Sequence, residues 1–123
     1  GLYQEEEVRT TSMEIIHLLA AGSYREVLED YAVEGADTEE NLKGIESRAA
    51  SISGDWGAYK ETTFLELSEI KSQGKYYASV RTELVHENVT VIYRLYFNEK
   101  MKMSGLELQD SMSAEEKPKT NPK

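Results

Sequence analysis

The chain has 123 residues, 39% of them hydrophobic, with a formal net charge of −9 and no cysteine. That length suits one domain, which buries roughly two thirds of its unfolded surface. Lack of cysteine excludes disulfides, thiolate nucleophiles and cysteine-ligated metal; the negative field disfavours nucleic acid and anionic membranes; and no run approaches the roughly 20 apolar residues of a membrane span.

The first predicted helix covers about 5–21. Glu5, Glu6 and Glu7 fall in its first turn, where the helix dipole favours negative charge. Two apolar rows follow, Met13-Ile16-Ala20 and Ser12-Ile15-Leu19, and Gly22 supplies a left-handed stop. Ser23-Tyr24-Arg25-Glu26 has the spacing of a capping box for a short second helix over 24–31, with Val27, Leu28 and Tyr31 inward. After Gly35, Asp37 or Thr38 can cap a third helix. There Leu42, Ile45, Ala49 and Ile52 share one face, and Gly54 or Gly57 ends it.

At 53–57 the hydrophobic period changes from three-to-four to two. Strand one is expected over 58–71, with Leu65 and Leu67 on one face and Phe64 and Ile70 on the other. Ser72-Gln73-Gly74 is a turn. Strands two (75–87) and three (89–98) meet at a Glu87-Asn88 turn. Leu84 then faces Val91, Val80 faces Leu95, Ala78 faces Phe97 and Thr82 faces Tyr93. The opposite face carries Tyr77, Arg81, Ile92, Arg94 and Tyr96, and places Arg81 against Arg94, which needs a carboxylate or a partner to screen it. Strand four spans 101–109. Its apolar parity switches between Met103 and Leu106, so Ser104-Gly105 reads as a bulge. The fold class is therefore α+β: three N-terminal helices packed on a curved four-strand antiparallel meander. A single domain occupies 1–109, and the aperiodic, Pro-containing stretch 110–123 reads as a flexible tail or linker.

Ala20-Ala21-Gly22-Ser23-Tyr24, Thr38-Glu39-Glu40-Asn41-Leu42 and Gly57-Ala58-Tyr59-Lys60 resemble the bacterial family called domain of unknown function 3887. The element order resembles the nuclear transport factor 2-like, or cystatin-like, cone superfamily. The resemblance covers about 5–109. It implies a cone fold and often an exported setting, but no established activity and no catalytic residues. The extracytoplasmic compartment is what this resemblance implies; the start at Gly1 without an initiator methionine is compatible with a trimmed N-terminal segment and by itself does not decide export.

The candidate pocket is His17, Trp56, Tyr59 and Tyr93. Tyr93 is expected in the core, with Thr82 as a partner for its hydroxyl. His86, beside the turn, is expected to be exposed. The two histidines lie on separate elements with no carboxylate at ligand spacing, so no metal and no cofactor are expected. Asp55 reads as a turn cap rather than a base. Asn88-Val89-Thr90 has the form of a glycosylation acceptor, without meaning in a bacterial protein. The candidate interface is Tyr77, Arg81, Ile92, Arg94 and Tyr96, since aromatics and Arg are enriched at hot spots.

The leading expectation is a non-catalytic domain binding a small apolar ligand or a protein partner. The alternatives are a small isomerase- or cyclase-like enzyme using His17 and Tyr93, and a homodimerisation module using the sheet face.

Overall fold

The computed structural model describes residues 2–52 and 54–111, and for Phe64 the backbone alone. Three helices come first: α1 (Glu5–Ala20), α2 (Tyr24–Asp30) and α3 (Glu39–Ala50). Four strands follow, β1 (Tyr59–Ser72), β2 (Lys75–His86), β3 (Thr90–Phe97) and β4 (Met103–Asp110). They form one antiparallel sheet in the order β1-β2-β3-β4.

The helix ends follow local chemistry. Gly22 adopts φ +82°. Its amide bonds the Leu19 carbonyl while that of Ser23 bonds Leu18, a Schellman closure. The next helix starts so soon that Ser23 has no freedom to cap it. Ser23 sits at φ −87°, ψ 58° and makes no side-chain cap bond, so the expected capping box does not form. Thr38 does cap α3, its Oγ1 accepting the Asn41 amide at 3.1 Å. Asp37 instead pairs with Arg25, at 3.3 Å.

The β2–β3 register is the expected one, including Val80 against Leu95, Thr82 against Tyr93 and Arg81 against Arg94. Between β1 and β2, Gln73 and Gly74 both have positive φ (52° and 80°), the type I′ geometry that suits the sheet twist. Ser104 is the extra residue between Tyr96↔Gly105 and Phe97↔Met103, so the expected bulge is present. β4 begins two residues later than expected, because Met101 (φ 61°) and Lys102 belong to the preceding turn; it ends at Asp110, which pairs with Val91. The anticipated tail, apart from Asp110 and Ser111, lies outside the described residues.

The inner face of the sheet reads in cross-strand rows. Leu67-Val80-Leu95-Leu106 is one and Leu65-Thr82-Tyr93-Leu108 the next. These residues join Val8, Ile15, Ile16 and Leu19 of α1, Val27 and Leu28 of α2, and Ile45 of α3 in a single core. In α1 the Ser12-Ile15-Leu19 row and Ile16 are buried; Met13 and Ala20 lie at the margin. Ser12 is carried inward with the row, and its Oγ is buried without a partner.

The outer face has its own order. Glu66, Arg81, Arg94 and Glu107 lie in register across all four strands. Each cation has a carboxylate beside it: Arg94 Nε is 3.7 Å from Glu107 of the row, and Arg81 Nη1 is 3.0 Å from Glu83, two residues along β2 on the same face. Each such half-exposed pair contributes up to about 1 kcal/mol, enough to offset the like-charge contact. Ile92 and Ser79 on this face are already buried within the one chain.

Tyr93 is fully buried, and its hydroxyl has no hydrogen-bond partner; Thr82 does not supply the expected one. Burial holds the phenol above its ordinary value near 10, with nearby Tyr24 adding to the shift. The unfolded chain therefore releases this proton first, and stability falls as pH rises above about 10, by at most about 1.4 kcal/mol per pH unit for one group. Tyr93→Phe removes an unsatisfied hydroxyl and is expected to keep or raise stability in urea denaturation. It should also flatten the alkaline decline. Tyr93→Ala is expected to lose about 3–5 kcal/mol. A Phe variant that loses more than about 1.5 kcal/mol would show that the hydroxyl is bonded in solution.

Candidate functional site

The helical and sheet halves of the chain meet in the loop 54–58, and its backbone is tied to the β2–β3 turn. Asp55 Oδ1 accepts the Gly57 amide at 3.0 Å, the turn-capping role expected of it. The Asn88 side chain donates to the Asp55 carbonyl (2.8 Å) and the Asn88 amide to that of Trp56 (3.0 Å). The Glu87 amide donates to the Ala58 carbonyl, and the Ala58 amide returns a bond to Glu87 Oε1, both 3.0 Å. Gly57 permits this close approach. Its φ is +77°, and a Cβ there would lie 2.7 Å from both Glu87 Cβ and Glu87 Oε1.

His86 completes the junction. It was expected to be exposed, but it is only 5% exposed. The reason is parity: it follows Val80, Thr82 and Leu84 on the inner face of β2, and the loop 54–58 folds over it. Its Nδ1 lies 3.2 Å from the Gly57 carbonyl. A carbonyl only accepts, so Nδ1 carries the hydrogen. Its Nε2 is buried and has no partner. The signal was present in the sequence, as an even-numbered position continuing an apolar alternation.

Four rings stand in file through this point. Trp56 meets His86 edge-on at 5.4 Å between centroids, His86 meets Tyr59 at 6.0 Å, and Tyr59 meets His17 at 5.2 Å. Three of the four sequence-predicted pocket residues, His17, Trp56 and Tyr59, are thus brought together through a fourth ring that was not among them. Tyr93 stands apart in the middle of the core. His17 is exposed, and Tyr59 bonds Thr62 through its hydroxyl at 2.9 Å.

On the Trp56 side of the file lies a solvent-open groove of about 520 Å³, between the C-termini of α1 and α3 and the loop. Tyr24, Ala49, Trp56 and His86 line it, with Glu46 and Asp55 at the rim. Trp56 is half-buried, its Nε1 donating to the Ile52 carbonyl at 3.5 Å. Burial raises the Tyr24 phenol above its ordinary value, and the Glu46 carboxylate adds to this. The groove therefore offers aromatic surface and a neutral hydroxyl at ordinary pH. Among the described residues no cluster of three or more His, Asp or Glu could hold a metal ion, and no helix is long and apolar enough to cross a membrane.

A family model described as "Protein of unknown function (DUF3887)" matches residues 12–106. The chain belongs to the DUF3887 family. The match takes in both halves of the molecule, from the middle of α1 to the middle of β4, and so includes the loop and the groove. The NMR structure of a protein from Ruminococcus gnavus ATCC 29149 superposes with a TM-score of 0.67 at 21% identity, covering 86% of this chain and 91% of that one. At that identity the likeness is one of fold. No curated protein matches this member of the family.

Gly57→Ala is expected to destabilise the protein by about 2 kcal/mol or more, since a positive φ and a backbone-side contact are both violated. Gly54→Ala, at φ +84° with open space around it, should cost about 1 kcal/mol. Chemical denaturation of the two variants side by side checks the difference. Equal losses would mean that the contact with Glu87 is not what fixes the loop.

Proposed function

We propose that this DUF3887 domain is a non-catalytic binding domain that takes a small apolar ligand in the groove beside Trp56. The observation that carries the reading is a concave surface lined by half-buried Trp56, Tyr24 and the His86 ring that meets Trp56 edge-on. Such sites combine apolar walls with few polar groups. The catalytic alternative has less support. Its two candidate residues do not share a cavity, since His17 is exposed and Tyr93 is 1% exposed with no surface to offer a substrate. The three-helix, bent-meander order supports placement in the nuclear transport factor 2-like superfamily, and the proposal includes a bacterial protein acting outside the cytoplasm.

A second reading is self-association through the outer sheet face. It is favoured by half-exposed Tyr77 and Tyr96 flanking Arg81 and Arg94, residue types common at interface centres.

Trp56 is the only tryptophan, so its emission reports on the groove directly. Titration with the neutral fluorophore N-phenyl-1-naphthylamine should quench Trp56 with energy transfer to the bound probe. Trp56→Ala should weaken probe binding at least about fivefold, read from the probe's own emission. Binding that leaves Trp56 emission unchanged, or no binding at all, would refute the groove. For the second reading, Arg81→Glu with Arg94→Glu should shift sedimentation from dimer toward monomer. A wild-type monomer, or a dimer insensitive to both changes, rules that interface out.

A further inference from the structure

β4 forms one edge of the sheet. At Met103 that edge is already used. The Met103 amide donates to the Tyr31 carbonyl at 2.9 Å and its carbonyl accepts the Val33 amide at 3.0 Å, an isolated parallel bridge centred on Ala32. The chain then leaves the edge at Gly35, whose φ is +87°. Beyond it, among the described residues, the edge runs on without a further strand, the sheet ending at β4.

The next backbone group known to face outward is the Leu106 carbonyl. It is met only by Arg48 Nη1 of α3, at a long 3.4 Å. Between α3 and this edge lies a cavity of about 410 Å³ with an apolar floor that includes Leu28, Ile45, Met103 and Leu106. Arg48 stands at its rim. Among the described residues Arg48 has no carboxylate within ion-pair distance. The other rim charge, Glu107, is directed to Arg94 at 3.7 Å. Gly105 lacks a side chain where the Tyr96 ring lies, a Cβ there coming 3.0 Å from Tyr96 Cδ2. The bulge thus leaves a notch at the middle of the edge, and Tyr96 on the outer face reaches the cavity through it.

We infer that this edge accepts an extended acidic-apolar peptide segment as an added strand. Main-chain bonds continue the pairing that Ala32 begins, an apolar side chain seats on Ile45 and Leu106, and a carboxylate displaces the Leu106 carbonyl as the partner of Arg48. Strand addition supplies affinity from backbone bonds and specificity from the pockets for alternate side chains. A sheet edge that is only partly covered is a place for it. The charge complementarity is local. An Arg with no carboxylate partner among the described residues, in a chain of net charge −9, selects an acidic side chain at that one position.

The test is selection of binders from a displayed library of random octapeptides, followed by synthesis of those recovered. They are expected to alternate apolar residues and to carry Asp or Glu. Their amide shift changes should centre on Gly105, Leu106 and Leu108, with the Arg48 Nε signal moving too. Arg48→Glu, an exposed change on α3, should weaken binding at least tenfold, and N-methylation of alternate peptide amides should abolish it. The inference is overturned if no peptide is enriched, if peptides without a carboxylate bind as well, if the shifts fall on the Trp56 groove, or if N-methylated peptides bind unchanged.

Discussion

The reciprocal bonding between the loop 54–58 and the β2–β3 turn is the constraint on which the rest of this structure depends. One amide and three carbonyls of the loop are satisfied by Glu87 and Asn88, and a further carbonyl by His86. The loop is exposed to half-buried, so water competes for these groups and each of these bonds contributes about 0.5–1.5 kcal/mol. With them, the exit of α3 is fixed relative to the far end of the sheet. The helices can then lie across one face only. The groove beside Trp56 is a consequence of this junction, because the loop crosses close above His86 while α1 and α3 end short of it.

The two sheet faces solve different problems with the same register. Inside, Tyr93 is carried into the core by alternation, together with a hydroxyl that finds no partner. Its ring area outweighs that penalty, since a buried aromatic contributes several kcal/mol. Outside, alternation sets Arg81 against Arg94, and the same alternation on β1 and β4 delivers Glu66 and Glu107 to either side. The arrangement is self-consistent within one chain. A sheet face that neutralises its own charges and buries Ile92 has less need of a second layer than its composition alone implies.

The edge of β4 is handled in three ways along its length. A parallel bridge covers Met103, an Arg side chain touches Leu106, and the Ser104 bulge breaks the flatness that would invite indiscriminate pairing. Partial protection of this kind leaves a short, shaped stretch of edge rather than a sticky one. It also places the notch at Gly105 beside the α3 face that carries Arg48.

Much of this was legible from the residues. Period and parity determined the seven elements, the β2–β3 register, the opposed arginines and the bulge, because each is a local consequence of side-chain alternation or helical spacing. Parity also held the burial of His86, which lies within the expected strand two at an even-numbered position of the inner face, although its place beside the turn pointed to exposure. The capping box at Ser23 failed because the preceding Schellman closure fixes that residue's backbone first. Spacing alone could not bring Trp56, His86, Tyr59 and His17 into one file, or leave Tyr93 out of it. That required the loop to dock on a turn some thirty residues away along the chain. The same holds for Arg48 and Leu106, 58 residues apart. The sequence by itself determined which residues face in and which face out. Only the tertiary structure decided which inward and edge groups are left without partners, since that depends on which distant backbone arrives beside them.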